Sequence, residues 1–200
     1  EIYSPPRITK AATVLPSLGI TAGAAMDLTT VDENGVPWDF SLAERRGKAE
    51  HLVRTTKPDL LVGSPMCVAF SPWQRLNKLK SRDPAKYDKM KQDAMVHLAF
   101  VCRLYRIQVE EGRLFLHEHP AQASSWSEGC VNEVLELEGV ETVVMDQCML
   151  GQEDEYGNPV KKPTQWMSNS QCILSELSTR CQGRGGRCSR GHGDEWHTPC

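Results

Sequence analysis

Between Asp59 and Leu116 the chain runs through a short apolar segment, a long helical pattern and a second apolar segment, and this succession constrains the fold most. Asp59 to Gly63 reads Asp-Leu-Leu-Val-Gly. A compact apolar run without polar alternation marks a strand buried on both faces. From Pro84 to Glu111, residues Met95, Leu98, Cys102, Tyr105 and Val109 recur every three or four positions, which describes one face of a helix. Asp83 is placed to cap it, Pro84 to open it and Gly112 to end it. Leu114 to Leu116 then reads as another buried strand. A helix of this length is the crossover that two parallel neighbouring strands require.

The rest of the chain extends the alternation. Glu1 to Ser4 reads as a strand stopped by Pro5-Pro6, Thr9 to Leu15 as a short helix, and Ala24 to Asp27 as a second strand. Val31 to Trp38 is a turn-rich loop carrying Asn34-Gly35. Ser41 with Glu44 has the form of a capping box for a helix reaching Thr56, broken by Lys57-Pro58. Ser127 to Leu137 reads as a helix, Glu141 to Val144 as a strand, Glu153 to Pro159 as a polar loop, and Gln165 to Ser168 as a last strand. The expectation is a three-layer, Rossmann-like α/β domain over residues 1–170, with a mostly parallel sheet covered on both faces. Residues 171–200 follow as a helix and a tail rich in Cys, His, Gly and Arg.

Composition excludes several classes. A chain of 200 residues with 40% apolar and 24% charged content is ordinary for one globular domain. No apolar run approaches the roughly 18 residues of a membrane helix, and no signal peptide opens the chain. Most of the eight cysteines stand singly within periodic segments, unlike those of a disulfide scaffold, so a reducing, intracellular setting is expected. The strand-like opening at Glu1 leads to the expectation of a longer polypeptide. A net charge of -3 does not advertise nucleic-acid binding. Basic residues nevertheless gather at Arg75, Lys78, Lys80 and Arg82, at Lys161 and Lys162, and between Arg180 and Arg190. Each such patch reads either as a phosphate contact or as ordinary solvated charge.

In open α/β sheets ligands bind beyond the carboxyl ends of the strands. Three groups of reactive residues fall there: Gly63 to Ser71 with Cys67, His117 to Pro120 with Glu118, and Asp146 to Gly151. A thiolate adds to an electrophilic ring carbon, while a carboxyl group protonates the ring nitrogen that gains charge. The plainer readings are a structural thiol for Cys67 and a loop carboxylate for Glu118. His117 and His119 are metal-ligand types, but alternate residues of a strand point to opposite faces from the one between them. Cys102, Cys130, Cys148 and Cys172 read as structural.

In these residues the chain resembles DNA cytosine-C5 methyltransferases, which have the class I S-adenosylmethionine-dependent fold. The Gly63 to Ser71 segment is similar to that family's nucleophile loop, in which Gly and Pro precede the Cys, with Phe and Ser three and four residues beyond it. Cys67, Phe70 and Ser71 keep that spacing. Phe115 to Pro120 occupies the place of the Glu-Asn-Val motif, so the resemblance implies Cys67 as nucleophile and Glu118 as its partner. Glu1-Ile2-Tyr3-Ser4 resembles the first cofactor-binding strand. Tyr3, Ser4, Asp27, Asp39 and Pro65 are thereby implied as the S-adenosylmethionine pocket, with Asp27 on the ribose and Asp39 beside the adenine. Gly151, Lys161 to Thr164 and Ser168-Asn169 are similar to a phage-type subset. The whole chain also looks like methyltransferase-like segments of mobile-element polyproteins. The implied partner is DNA, with RNA as an alternative substrate, held by Arg75, Lys78, Lys161 and Lys162. The alternative function is a non-catalytic nucleic-acid-binding module that keeps the fold.

The chain departs from the family at definite places. Met66 stands between Pro65 and Cys67, Pro5-Pro6-Arg7 replaces the glycine-rich loop, and His119 stands where the family has Asn. In the tail, Cys181, Cys188, His192 and His197 (with Cys200 as an alternative to His197) are the ligand types of a tetrahedral zinc site. Their spacing matches no standard finger, and a glycine-rich disordered tail is the competing reading.

Overall fold

The computed structural model describes residues 1–15, 17, 19–190 and 195–198. Its helices are α1 (Ile8–Val14), α2 (Ala43–Thr56), α3 (Pro72–Lys80), α4 (Ala85–Glu110), α5 (Gly129–Leu135) and α6 (Gln171–Glu176), and its strands are β1 (Leu60–Gly63), β2 (Leu114–Pro120), β3 (Glu141–Asp146) and β4 (Pro163–Ser168). The sheet order is β1-β2-β4-β3. β1 and β2 are parallel neighbours in the register Gly63 to His117, joined through α4 as the sequence pattern requires.

The mostly parallel sheet is not what forms. β4 runs antiparallel to both β2 and β3, so the four strands make a mixed sheet with one parallel pair rather than a seven-strand doubly wound one. The reason lies in the connection. No α-helix forms between β3 and β4, only a 3-10 turn at Gln147–Leu150. The intervening loop returns the chain directly, and Asp146 at the end of β3 pairs with Pro163 at the start of β4.

The two strands expected at the N-terminus shrink to single bridges. Ile2 bridges Met26 on one side and Gly63 on the other, both in parallel sense. Tyr3, with a left-handed φ of 60°, turns the backbone away, and Pro5 and Pro6 supply no N–H to continue a ladder. Across the molecule the segments therefore lie in the order Met26, Ile2, β1, β2, β4, β3.

Local signals set the helix ends within a residue or two. Lys57 closes α2 in the left-handed region, and Gly112 follows α4 at φ 70°. The capping box at Ser41 does not form. Leu42 is the cap residue, and the Ser41 amide instead donates to Asp39 Oδ1 at 2.9 Å. α4 is buried more broadly than one stripe. From Ala94 onward Leu98, Val101, Cys102, Leu104 and Tyr105 are enclosed, because α2 and α5 flank it while β1 and β2 lie beneath. Tyr105 stacks on Phe115 of β2 with ring centroids 4.6 Å apart, and its hydroxyl meets His117 Nδ1 at 3.0 Å. That hydroxyl crosses directly over Gly63, where a Cβ would lie 2.1 Å from it. Among the described residues, no helix is long and apolar enough to cross a membrane.

Candidate functional site

β1 ends at Gly63, and the loop beyond it carries Pro65, Met66 and Cys67 before a 3-10 turn at Val68–Phe70 and then α3. Pro65 is buried, Met66 exposed and Cys67 half-buried. β2 holds this loop in place. His119 Nε2 donates to the Pro65 carbonyl at 2.9 Å, and the Ser125 hydroxyl donates to His119 Nδ1 at 2.6 Å. These partners fit the neutral imidazole, with Nε2 protonated and Nδ1 accepting. Burial drives the ring the same way, with the bond to Pro65 opposing and the Lys162 charge assisting, and brings its pKa down to about 4. Phe70 packs against His119 and is fully enclosed, so the Phe of the Cys67-Phe70-Ser71 spacing is a core residue.

Alternation along β2 separates its polar residues. His117 and His119 lie on one buried face with their ring centroids 5.0 Å apart, beside Trp126. Glu118 points the other way, which removes a His-Glu-His metal site. Burial raises the Glu118 carboxyl above its ordinary range, with Lys162 and Arg7 pulling it back. Its Oε1 is enclosed and has no hydrogen-bond partner among the described residues.

A cleft of about 670 Å³ opens at this end of the sheet, with Cys67, Ser71, Trp73, Leu76, Pro120 and Lys162 among its lining. Its walls are largely apolar, and Trp73 is 70% exposed. Lys162 is exposed and makes no ion pair among the described residues. The other expected phosphate contacts fare differently. Lys78 is paired with Asp88, Lys161 Nζ reaches the Cys181 carbonyl at 3.5 Å, and the Arg75 side chain lies outside the described residues.

The residues implied for a cofactor do not line this cleft. Tyr3 and Asp39 converge on His97: the Tyr3 hydroxyl is 3.1 Å from His97 Nδ1, and the Asp39 charge acts on the same ring. Ser4 bonds the Pro5 carbonyl. The Asp27 carboxylate is engaged within its own turn by Thr29.

A second cluster stands at the far end of β3. Cys148, Cys181, Cys188 and His197 offer four ligand atoms, all within 4.8 Å of one another. This buried Cys3His set has the composition of a metal centre. Cys181, Cys188 and His197 are the sequence-derived ligands, His192 and Cys200 lie outside the described residues, and Cys148 takes the remaining place. No spacing signal pointed to Cys148, because it stands on the 3-10 turn after β3, far from the tail in sequence. Burial pushes the Cys148 thiol up to about 12, reinforced by the neighbouring thiols. At Cys181 burial is outweighed by hydrogen bonds, chiefly from Ser189, which bring it down to about 6. The seven described cysteines are all unpaired thiols.

No family model, curated protein or solved structure matches this chain.

Proposed function

We propose that the chain is a cytosine-C5 methyltransferase-like domain with the three-layer class I fold, acting on DNA with S-adenosylmethionine. The observation that carries this reading is the parallel register of β1 and β2. With Gly63 opposite His117, the loop bearing Cys67 leaves β1 at the level where β2 reaches Glu118, toward the same end of the sheet. Lys162 borders the Cys67 cleft and also acts electrostatically on Glu118, which links the two positions. The chemistry suits the pair. The Cys67 thiolate adds to C6 of a base extruded into the cleft, where Trp73 offers a stacking face. Glu118, a carboxyl raised by burial, hydrogen-bonds or protonates N3 as the ring gains charge. C5 would then take the methyl group from S-adenosylmethionine, releasing S-adenosylhomocysteine, and loss of the C5 proton with expulsion of the Cys67 thiolate would restore the ring.

The order of segments supports a cofactor beyond the ends of the Ile2 segment and β1. From Ile2 the chain moves outward to Met26, then reverses across Ile2 to β1 and β2. Open α/β sheets bind ligands at such a switch point, beyond the carboxyl ends of the strands. Tyr3 and Ser4 follow Ile2, Pro65 follows β1, and Asp27 follows Met26 one segment further out.

A non-catalytic nucleic-acid-binding module is the second reading, and one observation favours it. The Glu1 carboxylate already accepts from the Arg7 and Ile8 amides at 2.6 and 3.0 Å, where α1 opens. Those donors are closed to an anionic ligand. Titrating S-adenosylmethionine into the protein calorimetrically separates the readings, since the module has no affinity for it.

The test of the chemistry is trapping on DNA containing 5-fluorocytosine in the presence of S-adenosylmethionine. Fluorine at C5 cannot leave as a proton does, so an active enzyme remains covalently attached. Cys67→Ala abolishes the adduct. An adduct surviving in that variant transfers the role to another cysteine, and its absence in the wild type overturns the enzymatic reading.

A further inference from the structure

We propose that Cys148, Cys181, Cys188 and His197 together bind one zinc ion, which staples the C-terminal segment to the end of β3. All four ligand atoms lie within 4.8 Å of one another, and two of their separations match the edges of a tetrahedral site. With Zn–S near 2.3 Å and Zn–N near 2.0 Å, ligand atoms in a tetrahedral site stand about 3.8 Å apart for two sulfurs and about 3.5 Å for sulfur and nitrogen. Cys181 Sγ lies 3.9 Å from Cys188 Sγ and 3.5 Å from His197 Nε2. The sulfur pair is far beyond the roughly 2.05 Å of a disulfide.

The backbone around the donors is shaped for thiolates. The amides of Ser189 and Arg190 donate to Cys181 Sγ and Cys188 Sγ at 3.3 and 3.4 Å, as does the Ser189 hydroxyl to Cys181 Sγ at 3.4 Å. These bonds offset the charge of three thiolates around a dication. The loop between the two tail cysteines is wound so tightly that a Cβ on Gly183 would sit 1.9 Å from the Arg187 carbonyl oxygen. Cys148 and Cys188 are fully enclosed. Soft sulfur and imidazole donors exclude calcium and magnesium, and four protein ligands leave no open position, so the ion is structural.

The ion's place in the fold gives it a task. Cys148 belongs to the turn that follows β3, and the other three donors belong to the tail. Around them, Asp146 Oδ2 accepts from Arg180 Nε and the Cys181 amide, both at 2.9 Å, and the Thr198 amide bonds the Pro159 carbonyl at 3.0 Å. The loop that delivers Lys162 to the cleft is thus gripped between β3 and the metal-bound tail.

Elemental analysis of the protein expressed in zinc-supplemented medium is expected to give one zinc per chain. Cys172→Ser, at an exposed cysteine, retains it, and Cys148→Ser and Cys188→Ser lose it. Because those variants can fail to fold, cobalt(II) is also exchanged into the wild type. A tetrahedral ligand-field band with the charge-transfer absorption of three thiolates is expected. Absence of stoichiometric metal, with Cys148, Cys181 and Cys188 all alkylated in the folded protein, overturns the site. Retention of zinc and of the three-thiolate band in Cys148→Ser overturns Cys148 as a ligand and confines the metal to the tail.

Discussion

The His119 imidazole makes the stability of this fold depend on pH in a calculable way. Enclosure holds the ring neutral against the opposing bond to the Pro65 carbonyl, with its pKa lowered from 6.5 to about 4. A group whose folded pKa is depressed contributes stability above its unfolded pKa and loses it as pH falls, because the unfolded chain takes up the proton first. The loss therefore begins near pH 6.5 and continues to about pH 4. Each pH unit within that window is worth about 1.4 kcal/mol, so the contribution falls by about 2 kcal/mol between pH 7.5 and pH 5. The perturbation is His119→Gln, whose side-chain amide does not titrate and can still donate to the Pro65 carbonyl. Urea denaturation followed by far-ultraviolet circular dichroism gives the stability of both proteins at each pH. Subtracting one curve from the other cancels what they share, including acid release of a metal. The expected difference shrinks by about 2 kcal/mol from pH 7.5 to pH 5. A difference that stays constant across this range refutes the argument that burial keeps His119 neutral.

The remaining predictions concern other points of the fold. Gly63→Ala places a Cβ 2.1 Å from the Tyr105 hydroxyl and 2.9 Å from Val101 Cγ2. It should cost about 1–3 kcal/mol in urea denaturation, partly recovered in combination with Tyr105→Phe. Glu118→Gln should leave the fold as stable or more stable at pH 7, since burial raises that carboxyl and Oε1 has no partner, while lowering adduct formation with 5-fluorocytosine DNA. Greater stability lost than activity would refute the functional assignment of Glu118. Asp32, enclosed and bonded to Arg45 and Lys48, should lower the thermal midpoint when changed to Asn, whereas exposed Glu33→Gln should not.

The sequence by itself determined β1, α4, the start of β2, the break at Lys57 and the stop at Gly112, whereas pairing with β4 carried β2 on from Leu116 through His117, Glu118 and His119 to Pro120. Each depends on a period, an apolar run or a backbone preference that a few neighbouring residues carry. The separation of Glu118 from His117 and His119 was legible for the same reason, because alternation is a local property of a strand. Tertiary structure alone decided the direction of β4, since a run such as Gln165 to Ser168 has the same pattern whichever way its neighbour points. It also shortened the N-terminal strands to bridges at Ile2 and Met26, where the turn at Tyr3 competes with pairing. The role of His119 as anchor of the Cys67 loop required Pro65, 54 positions away, to be brought against it. Cys148 became a partner of Cys181 and Cys188 only because the tail folds back on the end of β3. Local pattern encodes what a residue buries and with what period, but contacts between distant segments arise from packing, and neither spacing nor composition records them.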